Sequence, residues 1–237
     1  MPADVHDLDL LRDGELAVLG PLPRASNATF LARVEDGSRE AMAVYKPRAG
    51  ETSLWDFPDG TLCRREVAAY EVAEELGWPS IPPTVLRDGP AGIGSVQLFV
   101  RADPREHYFT LAESRADDFR RVALFDLVVN NADRKSGHCL LGDDGTIWTV
   151  DHGVCFAAEP KLRTVIWEFA GEPVPAPMRA DVERLATALW EGPLCRRLRA
   201  LLSPGEVEVT AARADRVGML ERFPHPGPGR AWPWPPV

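Results

Sequence analysis

Residues Phe125-Asp126-Leu127-Val128-Val129 form a largely apolar, helix-like run that stops abruptly in Asn130-Asn131-Ala132-Asp133-Arg134-Lys135-Ser136-Gly137-His138. A polar cluster set this tightly against an apolar helix needs a partner for every group, so the surrounding fold must supply them. A second acid follows in Val150-Asp151-His152-Gly153, at the end of a β-like segment and just before a glycine. The interval leaves room for one β-hairpin, which would point both carboxylates into one cleft. Two carboxylates presented in this way suit a site that places a hydroxyl and a divalent cation around a phosphate.

The rest of the pattern divides the chain in two. Strand-like runs at 15–19, 28–34 and 41–46 are separated by turn residues such as Asp36-Gly37. A proline- and glycine-containing loop covers 47–60. Residues 62–76 then read as a helix, with Val67, Tyr70, Val72, Ala73 and Leu76 at helical spacing and Gly77 as its stop. Runs 84–87 and 95–100 form a hairpin around Asp88-Gly89-Pro90, and the irregular, polar stretch 102–114 connects the two parts. A helix at 117–129 precedes two short strands, 139–141 and 146–150, about the turn Asp143-Asp144-Gly145. Helices at 179–190, 194–202 and 205–222 lead to an extended, proline-rich tail from Phe223 that holds Trp232 and Trp234. The order predicts an α+β protein with a β-rich N-terminal lobe over 1–101, carrying one helix, and a mainly helical C-terminal lobe over 102–237.

Composition narrows the partners. With 36 acidic and 27 basic side chains the net charge is −9, which argues against a nucleic-acid-binding surface. No apolar run approaches the length of a membrane span, and no basic amphipathic segment suits an anionic bilayer, so stable membrane association is not expected. The N-terminus carries acids where a signal peptide would carry basic residues. Cys63, Cys139, Cys155 and Cys195 lack paired C-x-x-C spacing and read as reduced thiols of a cytoplasmic protein. Cys139 and Cys155 fall where buried strand residues are expected; with His138 and His152 they match no common zinc spacing. A serine hydrolase reading lacks its G-x-S-x-G.

Almost every basic residue is arginine, the only lysines being Lys46, Lys135 and Lys161. A bias in codon usage explains that scarcity; the positions coincide with the motifs, where a compact ammonium has a use. Lys46 closes a strand and Glu66 lies near the start of the next helix, an arrangement that lets a lysine touch nucleotide phosphates while a helical glutamate holds it. An incidental Lys–Glu pair is the plainer reading of those two residues by themselves. Asp133 lies in a loop after a helix, where an aspartate can orient an attacking hydroxyl; the plainer reading is a loop acid that caps a turn. His138, five residues later, stands where kinases place a metal-ligating asparagine, and histidine is a softer choice for magnesium. The connection 23–29 has no G-x-G-x-x-G, yet Ser26, Asn27 and Thr29 can offer donors to phosphate, or form an ordinary polar hairpin. Residues 167–173, preceded by Lys161 and Arg163, lie where a kinase has its substrate-recognition segment.

Taken in order, Val44-Tyr45-Lys46-Pro47, Arg65-Glu66-Val67-Ala68-Ala69-Tyr70, Pro82-Pro83-Thr84, Gly94 to Val100, Phe125 to His138 and Val150 to Gly153 resemble the phosphatidylinositol 3-/4-kinase-like and HipA-like branch of atypical kinases. The closer resemblance is to an uncharacterised actinobacterial kinase-like family, and it spans roughly residues 15–170. It implies a two-lobed kinase-like fold with ATP between the lobes and Mg²⁺, or Mn²⁺, as the cation. Lys46 would contact the phosphates and Glu66 would hold Lys46. The strand carrying Gln97, Phe99 and Val100 would lead into the hinge bordering adenine. Asp133 would be the catalytic aspartate, and Asp151, with His138, would hold the metal. The expected activity is transfer of a phosphoryl group to a protein Ser/Thr or a soluble small-molecule hydroxyl. A nucleotide-binding pseudokinase and a nucleotidyl transferase are the alternatives on the same residues.

Overall fold

The computed structural model describes residues 5–23 and 27–237. Five strands form one antiparallel sheet: β1 (Glu15–Pro21), β2 (Phe30–Glu35), β3 (Glu40–Pro47), β4 (Thr84–Gly89) and β5 (Gly92–Leu98), in the order β1-β2-β3-β5-β4. Alternation along β3 decides its two faces. Ala43 and Tyr45 are fully buried in a core with Leu16, Ala32, Val34, Val85 and Val96, whereas Val44 and Lys46 point the other way. Helix α1 (Val5–Asp13) closes that core with Leu10 and Leu11. No helix was expected there.

The opposite face of the sheet receives α2 (Leu62–Leu76). Glu51, from the loop ahead of it, accepts the amides of Leu62 and Cys63 at 3.1 and 2.8 Å, placing a carboxylate on the positive end of the helix. Gly77, at φ 84°, ends it in the left-handed conformation that a glycine adopts without steric cost. Eleven of its residues are buried because α2 is enclosed by the sheet on one side and the C-terminal helices on the other.

Beyond Leu98 the chain enters the helical part: α3 (Tyr108–Leu111), α4 (Ala116–Val129), α5 (Ala176–Trp190), α6 (Pro193–Arg199) and α7 (Pro204–Gly218), with a hairpin of β6 (Cys139–Leu141) and β7 (Ile147–Thr149). One continuous core runs from Ala68, Ala69 and Val72 of α2 through Phe119, Phe125 and Val128 of α4 to Leu185, Leu198 and Ala211. Several expectations shift: α6 stops at Arg199 rather than at 202, β5 begins at Gly92 rather than at 95, and α3 lies within the stretch 102–114 read as irregular. Strand β5 stops at Leu98 rather than at 100, although the Phe99 amide still donates to the Met42 carbonyl. The last helix stops at Gly218 rather than at 222, and Cys155 is buried in a loop rather than a strand. The four cysteines are all free and buried.

Candidate active site

Lys46 sits one residue before the end of β3, opposite Ser95 of β5, on the face turned toward α2. Its ammonium is ion-paired with Glu66 Oε1 and lies 3.0 Å from Asp151 Oδ1. Glu66 Oε2 accepts the backbone amide of His152 at 2.9 Å. A strand, a helix and the loop after β7 therefore meet on two carboxylates and one ammonium. Gly153 packs against Leu62 and Glu66 at ordinary contact distance, a Cβ there lying 3.4 Å from the Leu62 Cβ and 3.5 Å from Glu66 Oε1. Lys46 holds the Asp151 carboxyl well below the usual carboxylate range. Burial pushes Glu66 upward, and Lys46 opposes that push.

Asp151 adopts φ 61°, a left-handed conformation that a short polar side chain tolerates better than most. The turn leaves its side chain half exposed to the cleft. His138 reaches the other oxygen, Nε2 lying 3.3 Å from Asp151 Oδ2. The Nδ1 of His138 accepts the Lys135 amide, which leaves the ring proton on Nε2, facing Asp151. Burial keeps this imidazole neutral, with its pKa pushed down to about 4. His138 is thus arranged as a hydrogen-bond donor to Asp151.

Asp133 follows α4 through a turn in which each asparagine has a definite task. Asn130 ends the helix at φ 53° and fixes the later loop, donating to the carbonyls of Ala157 and Glu159 and accepting the Lys161 amide. Asn131 accepts the Asp133 amide at 3.0 Å and donates to Asp126 at 3.0 Å. The Asp133 carboxylate pairs with Lys135 at 3.3 Å. Burial raises its pKa, Lys135 works against the rise, and the negative charge of Asp151 adds a smaller push upward.

Beneath both loops lies a network that sequence reasoning did not single out. Arg134 and Asp126 are fully buried and joined by three hydrogen bonds of 2.9–3.2 Å. Arg134 also donates to the Val150 carbonyl at 3.2 Å and lies 2.8 Å from His152 Nε2. Burial and Arg134 together keep His152 neutral. The network ties the Asp133 loop to the Asp151 loop. Its one signal in the sequence is Asp126 itself, a charge within the apolar run of α4.

The remaining expected residues are placed as follows. Gln97 is buried and donates to Thr84 Oγ1 at 2.8 Å, within the sheet and in register with Val44. Phe99 and Val100 lie at the end of the sheet, where the chain leaves it. Asn27 accepts the Thr52 amide, while the Ala28 amide donates to Gly50, which fastens the β1–β2 connection to the turn after Lys46. Ser26 lies outside the described residues. A cavity of about 450 Å³ opens beside the cleft between Arg48, Glu51, Phe57, Leu62 and Gly92, and holds none of Lys46, Asp133 or Asp151. All three lysines are ion-paired around this region, Lys161 with Asp56 at 3.0 Å. Among the described residues no group of three or more His, Cys, Asp or Glu could hold a metal, and no helix is long and apolar enough to cross a membrane.

No protein-family model matches the chain. Protein Rv2133c of Mycobacterium tuberculosis (strain ATCC 25618 / H37Rv) is 42% identical over 263 aligned positions, covering 95% of this chain and 94% of that protein. The chain belongs to the family of Protein Rv2133c. A second relative, phosphatidylinositol 4-kinase gamma 4 of Oryza sativa subsp. japonica, is 28% identical over 153 residues; the match covers 54% of this chain and only 27% of that longer protein. Among solved structures, the Helicobacter pylori proinflammatory kinase CtkA is similar at a TM-score of 0.53 with 10% identity, over 90% of this chain and 94% of that one. The fold is a two-lobed, kinase-like α+β fold.

Proposed function

We propose that this protein is an ATP- and divalent-cation-dependent phosphotransferase of the atypical kinase type, acting on the hydroxyl of a protein side chain or a small soluble molecule. The observation that carries this reading is Lys46 held between Glu66 and Asp151, with the Asp133 loop tied to the Asp151 loop through Arg134. In this reading Lys46 contacts the nucleotide phosphates and Glu66 fixes its position. Asp133, raised in pKa by burial, accepts the proton of the attacking hydroxyl. Asp151 is a hard oxygen ligand that Lys46 keeps ionised, which suits Mg²⁺ or Mn²⁺. When bound, the cation neutralises phosphate charge. His138, with its proton toward Asp151, orients that carboxylate. The match to part of a rice lipid kinase supports the phosphatidylinositol 3-/4-kinase-like side of the resemblance, and the HipA-like side rests on residue order alone.

A second reading has one observation in its favour. His138 occupies the place of a metal-ligating residue and is arranged as a donor, which suits a nucleotide-binding pseudokinase that serves as a regulatory module.

Calorimetric titration with ATP, with and without Mg²⁺ or Mn²⁺, tests the nucleotide site, and γ-labelled ATP then tests transfer. Metal-dependent binding with label transfer supports the enzyme. Binding without transfer or hydrolysis supports the pseudokinase, and no binding with either metal removes both readings.

A further inference from the structure

The Trp- and Pro-rich segment that follows Phe223 has no regular structure, yet it is seated on the loops that flank Asp133. Asp133 is followed by Arg134, whose amide donates to the Arg163 carbonyl at 2.9 Å and whose carbonyl accepts the Val165 amide at 3.1 Å. Residues 163–165 therefore run as a parallel strip beside the Asp133 loop. The outer edge of that strip is taken by the terminal segment. The Ala231 carbonyl accepts the Thr164 amide at 3.1 Å and the Trp167 indole N–H at 3.1 Å, and the rings of Trp167 and Trp232 lie 6.3 Å apart. Five residues on, the Pro236 carbonyl accepts the Ser136 amide at 2.9 Å. Ala231 and Pro233 are buried, and the Ser136 hydroxyl is buried without a hydrogen-bond partner, so this residue is held through its backbone, the amide on Pro236 and the carbonyl on the Cys139 amide.

The segment thus leaves the strip at Ala231 and returns to the Asp133 loop at Pro236, three residues past the aspartate. It touches neither Lys46 nor Glu66. We propose that residues 231–236 are a positioning element for the acceptor side of the cleft, holding the Asp133 loop and the 163–165 strip in one register. This role rests on the phosphotransferase reading. An acceptor approaching Asp133 meets a surface fixed on both flanks, and misplacement of such a surface by an ångström is enough to slow transfer greatly.

The test compares the full chain with a chain ending at Arg230 and with Trp167→Phe, which keeps an aromatic ring, though a smaller one, and removes the donor to Ala231. Three quantities are measured: amide hydrogen exchange at Ser136 and Thr164, Mg²⁺-ATP affinity by calorimetry, and phosphate release from γ-labelled ATP to water. The shortened chain is expected to exchange both amides at least tenfold faster and to bind Mg²⁺-ATP within twofold of the full chain. Its turnover should fall tenfold or more at unchanged KM for ATP. Trp167→Phe should show smaller changes in the same directions. Unchanged exchange in both variants would overturn the proposal, as would loss of ATP affinity in parallel with turnover. Should the full chain bind no Mg²⁺-ATP, the phosphotransferase reading fails and the acceptor-side role with it, while exchange still reports whether the segment holds the loop.

Discussion

Glu66 divides its carboxylate between two residues, one oxygen on the Lys46 ammonium and the other on the His152 amide at 2.9 Å. One side chain of α2 therefore sets both the strand lysine and the loop that carries Asp151. Glu66→Gln keeps the shape and removes the charge, which leaves Lys46 with Asp151 as its remaining ionic partner and draws it onto that carboxylate. Label transfer from γ-labelled ATP is expected to fall about 10- to 100-fold. The melting temperature should stay within a few degrees, and transfer within twofold of the parent would break the proposed coupling.

Asp133 is a carboxylate whose charge is disfavoured where it stands, since burial and Asp151 both oppose ionisation. Asp133→Asn should abolish transfer while leaving Mg²⁺-ATP affinity largely intact. It should also make the fold more stable at pH 7, read as a higher melting temperature than the parent's. The sign follows from the raised pKa: the cost of the charge is present above the folded pKa and disappears as acid protonates the group. The stability difference between parent and variant should therefore shrink as the pH is lowered, and a variant less stable than the parent at pH 7 would contradict the assignment.

Arg134 and Asp126 form a buried pair with no exposure to share the charge. Removing only the guanidinium, as in Arg134→Met, strands a carboxylate in the core and should cost about 3–5 kcal/mol in urea unfolding. The double variant with Asp126→Leu should recover part of that loss, because the uncompensated charge is gone. Equal stability of the single and double variants would show that the pair is not what holds the two loops.

His138 is kept neutral by burial, with a pKa of about 4. A histidine depressed on folding contributes stability that is fully present above its ordinary range and is lost as the pH falls from about 6.5 toward 4. At pH 5 this corresponds to about 2 kcal/mol. His152, faced by Arg134, moves in the same direction. His138→Gln should flatten the urea stability profile between pH 7 and 5, and an unchanged slope would place the acid sensitivity elsewhere.

Much of this architecture could be read from the chain because its signals are local. The helix ending at Gly77, the strand ending near Lys46, and the apolar run that stops at Asn130 each declare themselves within a few residues. The resemblance carried by their order expected Lys46, Glu66, Asp133 and Asp151 in one region, and the structure brings Lys46, Glu66 and Asp151 into direct contact. What stayed hidden depends on pairing across distance. Asp126 looks like an interruption of an apolar face until Arg134 and Asn131 are seen to donate to it. Helix α1 is short and acidic, and it forms because Leu10 and Leu11 have a sheet to cover. The proline-rich terminal segment carries no periodicity at all, and its placement is written in single backbone bonds to Thr164 and Ser136.

Arg65, next to Glu66 on α2, points into the C-terminal part of the molecule. It is 1% exposed, donates to the Cys155 carbonyl at 2.7 Å, pairs with Glu206 and stacks its guanidinium 5.0 Å from the Phe57 ring. A helix bolted in this way cannot swing outward without stranding a buried cation. The grip of Glu66 on Lys46 is then a standing fixture of the molecule rather than a toggle.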